Sequence, residues 1–316
     1  MMHGTWLFWI RILLLLLLGD PSVQARLLVV ATTADLAALA RAVGGDRVEV
    51  LSLARPTEDP HFVDPRPSYL VQLARADALV HGGAGLEAAW LTPLLNRAGN
   101  ARILPAARGH IRCCEGVTLL EVPEKLDRSQ GDVHAAGNPH YLADPQNARI
   151  VVHHLADTFV ELDFAGTEIY RKNQRAFVEA LERSLPAWEA RLRPFAGARL
   201  VSYHNSWPYF ALRFNLRIDL FLEPKPGIPP SAAHLGRVVA EMKASGVRAI
   251  LVEPYQDRRA AETVARATGA RLVPVTQYPG GLKGTEAGYL ELMDYLVRAI
   301  TGALSDREQA STISTR

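Results

Sequence analysis

Runs of β-branched and leucine-rich residues punctuate the chain at 26–33, 48–54, 76–82 and 101–107, and again at 198–204, 216–223, 247–253 and 270–276. Stretches with helical spacing follow most of them, at 35–43, 67–74, 86–97, 231–244 and 257–268. Strands alternating with helices of this length form βαβ units, and βαβ units build parallel sheets. The alternation occurs twice, with four strands each time. The expected fold is α/β, with two lobes that each hold a four-stranded, mostly parallel sheet and flanking helices.

Between the two series lie helical patterns without a strand. Asp144-Pro145 opens one of them, with Asp suited to the N-cap and Pro to the first helical position. A second runs over 166–193, where Ile169, Phe177, Ala180, Leu181, Leu185 and Trp188 roughly follow helical spacing. Such a helix spans about 42 Å and makes a stiff connector, with Pro186 expected to bend or locally break it. The expected organisation is a leader at 1–25, an N-terminal lobe at 26–165, the connecting helix at 166–193 and a C-terminal lobe at 194–304. A polar, frayed tail follows at 305–316. Residues 108–138 follow neither period and read as a surface insertion.

Composition alters this picture in three places. The chain of 316 residues has a formal charge of +2 (35 basic minus 33 acidic), too balanced to point to nucleic acid or a membrane surface as the main partner. At its start, Trp6 to Ile10 and Ile12 to Leu18 form an apolar stretch interrupted by Arg11. Gly19, Asp20 and Pro21 break it, and Val23-Gln24-Ala25 offers small residues for cleavage. This fits a secretory signal peptide and is too short to span a bilayer. An exported, soluble protein beginning near Arg26 is expected, without a lipid-anchor cysteine after the apolar run. The two cysteines, Cys113 and Cys114, are adjacent. A disulfide between them would be strained, and no CxxC-type partners suggest a zinc site, so they read as a loop pair without metal function.

Of ten histidines, most carry no sign of ligation: His3 lies in the leader, His153 and His154 are neighbours on a helix, His234 sits at a helix start, and His110 and His134 fall in the insertion. Three share a topological address. His61 follows the second strand in Glu58-Asp59-Pro60-His61-Phe62, His140 stands in Gly137-Asn138-Pro139-His140 ahead of the Asp144-Pro145 helix start, and His204 closes the fifth strand. Ligands of open α/β sheets gather at the carboxyl ends of strands, so a cleft between lobes would bring the three together. Their spacings, 79 (140 minus 61) and 64 (204 minus 140), match no local zinc motif, so only the fold can assemble such a site.

Glu-Asp-Pro-His followed by Arg66-Pro67-Ser68, then Gly-Asn-Pro-His-Tyr-Leu-Ala-Asp-Pro, then Tyr-His-Asn-Ser-Trp-Pro-Tyr-Phe occur in that order. With Gly85-Leu86-Glu87 and Glu253-Pro254, this arrangement resembles the solute-binding proteins of zinc/manganese-type metal ABC importers, over essentially the whole chain after the leader. The resemblance implies two α/β lobes joined by a long rigid helix, with the metal buried between them and His61, His140 and His204 as its ligands. It implies a periplasmic monomer that delivers metal to a membrane permease, with a periplasmic metallochaperone as a further partner. The family often supplies a fourth ligand, an aspartate, where this chain has Gln277. A neutral amide is a poor zinc ligand, which leaves water, Glu253 or Asp59 for that position. Glu253 could instead accept a hydrogen bond from a ligand histidine, and His81 is a further neighbour.

Three imidazoles favour Zn2+ over Mn2+, which prefers oxygen-rich sites. A manganese carrier of the same family stays open, as does a zinc hydrolase with a three-histidine-and-water site. The latter lacks HExxH, GxSxG and a phosphate-cradling glycine loop, and Glu253 is its one candidate base. An exported interaction protein with a structural metal is a third reading. The insertion, with Cys113, Cys114, Asp132 and His134, could recruit or hand over metal.

Overall fold

The structure, a computed structural model, describes residues 26–125 and 134–313, with side chains described through Ser305. The expected leader at 1–25 and Asp132 lie outside the described residues. The first sheet holds β1 (Leu27–Ala31), β2 (Val48–Ser52), β3 (Ala78–His81) and β4 (His110–Arg112), in the order β2-β1-β3-β4. The second holds β5 (Arg199–Ser202), β6 (Arg217–Phe221), β7 (Ala249–Val252) and β8 (Arg271–Pro274), in the order β6-β5-β7-β8. Every pairing is parallel. In both sheets the chain runs outward to one side of its first strand, then returns and continues on the other. Each sheet therefore has a switch point beside its first strand, where a crevice opens at the strands' carboxyl ends.

Helices cover both faces of each sheet. On one face of the first lie α1 (Ala34–Gly44), α4 (Pro145–Leu162) and α5 (Thr167–Leu192); on the other lie α2 (Pro67–Arg75) and α3 (Leu91–Ala98). The second sheet packs α7 (Ala232–Ser245) and α8 (Arg258–Thr268) on one face, with α6 (Pro208–Arg213) and α9 (Tyr289–Ile313) against the other. The central strands β3 and β7 are buried throughout, as parallel strands under two helix layers must be. One apolar core runs from Val29 and Val80 of the first sheet through Leu181, Leu185 and Trp188 of α5 to Leu200, Leu251 and α9.

Helix α5 continues through Pro186. A mid-helix proline costs about 3 kcal/mol or more. Leu181, Leu185, Trp188 and Leu192 are buried around it, and burying each such side chain contributes about 1.5–3 kcal/mol. Packing therefore outweighs the lost hydrogen bond, and the expected break is absent.

Three other expectations are corrected. The fourth strand is His110–Arg112 and not 101–107, where Ala101–Ile103 forms a 3-10 turn whose first N–H groups are capped by Asn100 Oδ1. The helix expected over 86–97 begins at Leu91, after a run of turns in which Glu87 points its side chain back to the first sheet. Its carboxylate accepts hydrogen bonds from the Thr32 hydroxyl at 2.7 Å and from the backbone N–H of Gly82 at 2.6 Å and Gly83 at 3.2 Å. The expected frayed tail from Ser305 is instead the continuation of α9 to Ile313.

Candidate metal centre

The two crevices face each other, and the loops leaving the strands fill the space between them. After β2, Asp59 builds the local turn: its Oδ1 accepts the His61 backbone N–H at 3.0 Å and the His61 Nδ1–H at 2.8 Å. One carboxylate thus fixes both the loop and the ring. Ahead of α4, Asn138 Oδ1 accepts the His140 backbone N–H at 3.0 Å, and Asp144 caps the helix through Gln146 N–H at 2.9 Å. After β5, His204 Nδ1–H donates to Glu223 Oε2, 2.6 Å away at the end of β6.

The three rings converge. One ligating atom from each of His61, His140 and His204 lies within 4.8 Å of the others. Ring centroids stand 5.2 Å apart for His61 and His140, 5.3 Å for His61 and His204, and 5.5 Å for His140 and His204. His61 and His140 are 8% and 3% exposed, and the Nε2 of each is buried without a hydrogen-bond partner. An unpaired buried imidazole nitrogen costs free energy unless something occupies it. With Nδ1 of His61 and His204 committed to carboxylates, Nε2 is the nitrogen left to face a cation. Such carboxylate–histidine pairs fix the tautomer and raise the basicity of a metal-ligating ring.

The electrostatics differ from ring to ring. Burial, then the nearby His61 and His204, push His140 well below the ordinary imidazole range, so it stays neutral. Burial also opposes charge on His204, yet the hydrogen bond and charge of Glu223, with Glu253 and Asp59 beyond, lift its pKa above 6.5. Asp59 pays a burial penalty that its contacts with His61 overcome, leaving its pKa below the usual carboxylate value.

The remaining residues named from sequence stand around the trio. Gln277 donates to Ser206 O at 3.3 Å and to Glu253 Oε1 at 3.4 Å. Glu253, 2% exposed, takes its other hydrogen bond from the Tyr255 hydroxyl, and burial pushes its pKa up to about 7. Glu253 therefore holds none of the three converging rings; Asp59 and Glu223 hold one each. His81 is turned toward His110, with 3.0 Å between their Nε2 atoms, and its Nδ1 lies 3.9 Å from Glu87. Both cysteines are free thiols, and burial raises the pKa of Cys113 and of Cys114.

One neighbour was not legible beforehand, and a second, His134, was read only as part of an insertion that could recruit or hand over metal. Glu223 gave no signal beyond an acid at the end of a strand. His134 stacks on His61 with centroids 5.3 Å apart and ring planes at 28°. Burial and the neighbouring His61 and His204 depress its pKa to about 4.

Comparison with known proteins identifies the family of this fold. The family described as ZnuA, zinc-uptake complex component A periplasmic, matches residues 29–303. The chain belongs to that family. It is thus a substrate-binding protein of metal transport and not an enzyme. Among its relatives, the metal ABC transporter substrate-binding lipoprotein ScbA of Streptococcus cristatus is 24% identical over 289 residues, covering 89% of this chain and 90% of that protein. The manganese ABC transporter substrate-binding lipoprotein PsaA of Streptococcus anginosus is 22% identical over 295 residues, covering 90% and 92%. The iron ABC transporter substrate-binding lipoprotein MtsA of Streptococcus pyogenes serotype M1 is 23% identical over 249 residues, covering 77% of each. Among solved structures, a crystal structure of ZnuA superposes with a TM-score of 0.74 at 24% identity, over 88% of this chain and 99% of that one. The Mn-bound periplasmic metal binding protein from Candidatus Liberibacter asiaticus gives 0.72 at 19% identity, over 88% and 100%. These share the ZnuA-like two-lobed fold.

Proposed function

We propose that this chain captures Zn2+ between its lobes through His61, His140 and His204 and delivers it to the membrane permease of an ABC importer. The observation that carries this is the convergence of three imidazoles, two of them buried and two backed by carboxylates. A donor set of neutral nitrogens suits zinc, whereas Mn2+ prefers oxygen ligands. The relatives' names include manganese and iron, so the choice among metals rests on this donor set. Glu253 is a buried carboxyl, and its hydrogen bonds with Tyr255 and Gln277 favour a supporting role over ligation. We place the working boundaries at 26–165 and 194–304, acting as two jaws on the connecting helix, and the protein in the periplasm as an exported monomer. Among the described residues, no helix is long and apolar enough to cross a membrane.

Titrating chelator-stripped protein with Zn2+ and with Mn2+ by calorimetry tests this reading, alongside the combined His61→Ala, His140→Ala, His204→Ala variant. One tight zinc site, lost in a variant that still melts cooperatively, is expected. Preference for Mn2+ would transfer the role to that metal. Zinc binding that survives the triple substitution would overturn the ligand set.

A further inference from the structure

His134 belongs to no regular element, yet its placement is well determined by contacts. Its Nδ1 is packed against Gly85. Gly85 has φ +90°, and a Cβ there would come within 3.0 Å of that same nitrogen, so glycine both makes the turn and lets the ring in. With Nδ1 against Gly85, the other nitrogen is Nε2. That atom is buried and has no hydrogen-bond partner. Among the described side chains, three histidines have such an orphaned Nε2: His61, His134 and His140. Two of them are members of the converging trio.

The surroundings of His134 give the third a matching purpose. Its ring lies stacked on His61 and borders two surface depressions that lead to the trio. One runs over Phe62, Gly85 and Leu86 to His61, and the other over Glu121 and Asn205 to His140 and His204. A cation entering by either route passes the ring of His134. Three nitrogens leave a tetrahedral ion one position short, and the residue expected at the fourth, Gln277, is an amide engaged with Ser206 and Glu253. The His134 nitrogen stands outside the group whose atoms lie within 4.8 Å of one another. Its side chain turns about two bonds between staggered wells, and such a turn displaces the ring nitrogen by several ångströms.

We propose that His134 is the fourth ligand, swinging from its stack on His61 to close a four-nitrogen coordination shell and shut water out of the site. This rests on the trio being the metal site. It gives the end of the insertion a direct role in holding the cargo: the last nitrogen to bind on loading is also the first that can leave on release.

Cobalt(II) loading of the full chain tests this, because Co2+ reports coordination by its visible spectrum. The wild type should show a four-coordinate spectrum that azide does not alter. In His134→Ala, zinc should bind about 10–100-fold more weakly, and azide should now perturb the cobalt spectrum by entering the vacated position. In His134→Cys, a sulfur-to-cobalt charge-transfer band should appear in the near ultraviolet. The wild type, which carries Cys113 and Cys114, is the control for that band. If His134→Ala matches the wild type in affinity, spectrum and azide response, or if His134→Cys shows no such band, His134 does not reach the metal. Since the trio would still bind in those cases, that result would leave the proposed function standing. Loss of cobalt binding from the wild type itself would sink both.

Discussion

At the scale of single residues, the proposed site depends on two carboxylates that stand behind its rings. Asp59 and Glu223 each accept an Nδ1–H from one of the converging imidazoles, at 2.8 Å and 2.6 Å. The Glu223 pair also sets the pH response. Its negative charge raises the pKa of His204, so the empty site holds a proton there more firmly than an isolated imidazole would. Metal binding must expel that proton, so affinity falls as pH drops through the raised pKa, and the fall begins at higher pH than an ordinary histidine would give. Glu223→Gln removes the charge. Zinc affinity at pH 8 should fall about 10–100-fold, while the protons released on binding near pH 7 should decrease. Calorimetry in buffers of different ionisation enthalpy reads both quantities; unchanged proton release would show that Glu223 does not control His204. The same residues mark how far the sequence could be read. His61, His140 and His204 sit in ordered motifs, each next to a proline or at a strand end, so their shared crevice was foreseeable. Glu223 reaches His204 across 19 residues from a different strand, and His134 reaches His61 from an insertion with no periodicity. Such pairings exist only once the loops are folded.

At the scale of elements, α4 connects the metal loop to the second lobe. Asp144 caps the helix and also receives a bidentate pair from Arg213 of α6, at 2.8 and 2.9 Å. Next to it, the Tyr209 hydroxyl accepts from Leu120 N–H at 2.9 Å and donates to Asn138 O at 2.6 Å. The loop carrying His140 is thereby tied to α6 at both ends. Asp144→Asn keeps an adequate cap but loses the charged pair, which should cost about 1–2 kcal/mol given the partial exposure of Arg213. Asp144→Ala should lose both, for about 1 kcal/mol more. Thermal melts of the two variants check the order; equal losses would mean that the cap adds nothing in this context. Elements with strong periods were foreseeable in type and sequence, because β7 is wholly apolar and β3 is apolar up to its closing His81. The short edge strand β4 was not. His110–Arg112 has one buried residue of three, so it carries neither a run nor an alternation, while the richer 101–107 segment spends its apolar side chain Ile103 on packing against α2 and α3.

At the scale of the whole molecule, the question is how a buried cation leaves. Wide separation of the lobes would tear the core that they share. Leu181, Leu185, Trp188 and Leu192 of α5 and Leu292, Leu296, Val297 and Ile300 of α9 belong to one apolar cluster with residues from both sheets. Exposing even four such side chains costs about 6–12 kcal/mol, comparable with the whole stability of a domain. The Tyr289 hydroxyl adds a cross-lobe hydrogen bond to Leu142 O at 2.6 Å. Release should therefore proceed by small tilting and by movement of the loops bearing His61, His134 and His140. Small-angle scattering should give a radius of gyration near about 19–20 Å for a chain of this size, with the loaded and stripped forms agreeing within error. The stripped form should also still melt cooperatively, because its core contains no metal-dependent element. An increase of several ångströms on stripping would show that the lobes do part, and that the common core is weaker than its burial implies. Collapse of the fold on stripping would make the metal structural and a carrier role untenable, since a carrier must remain folded when empty to load again.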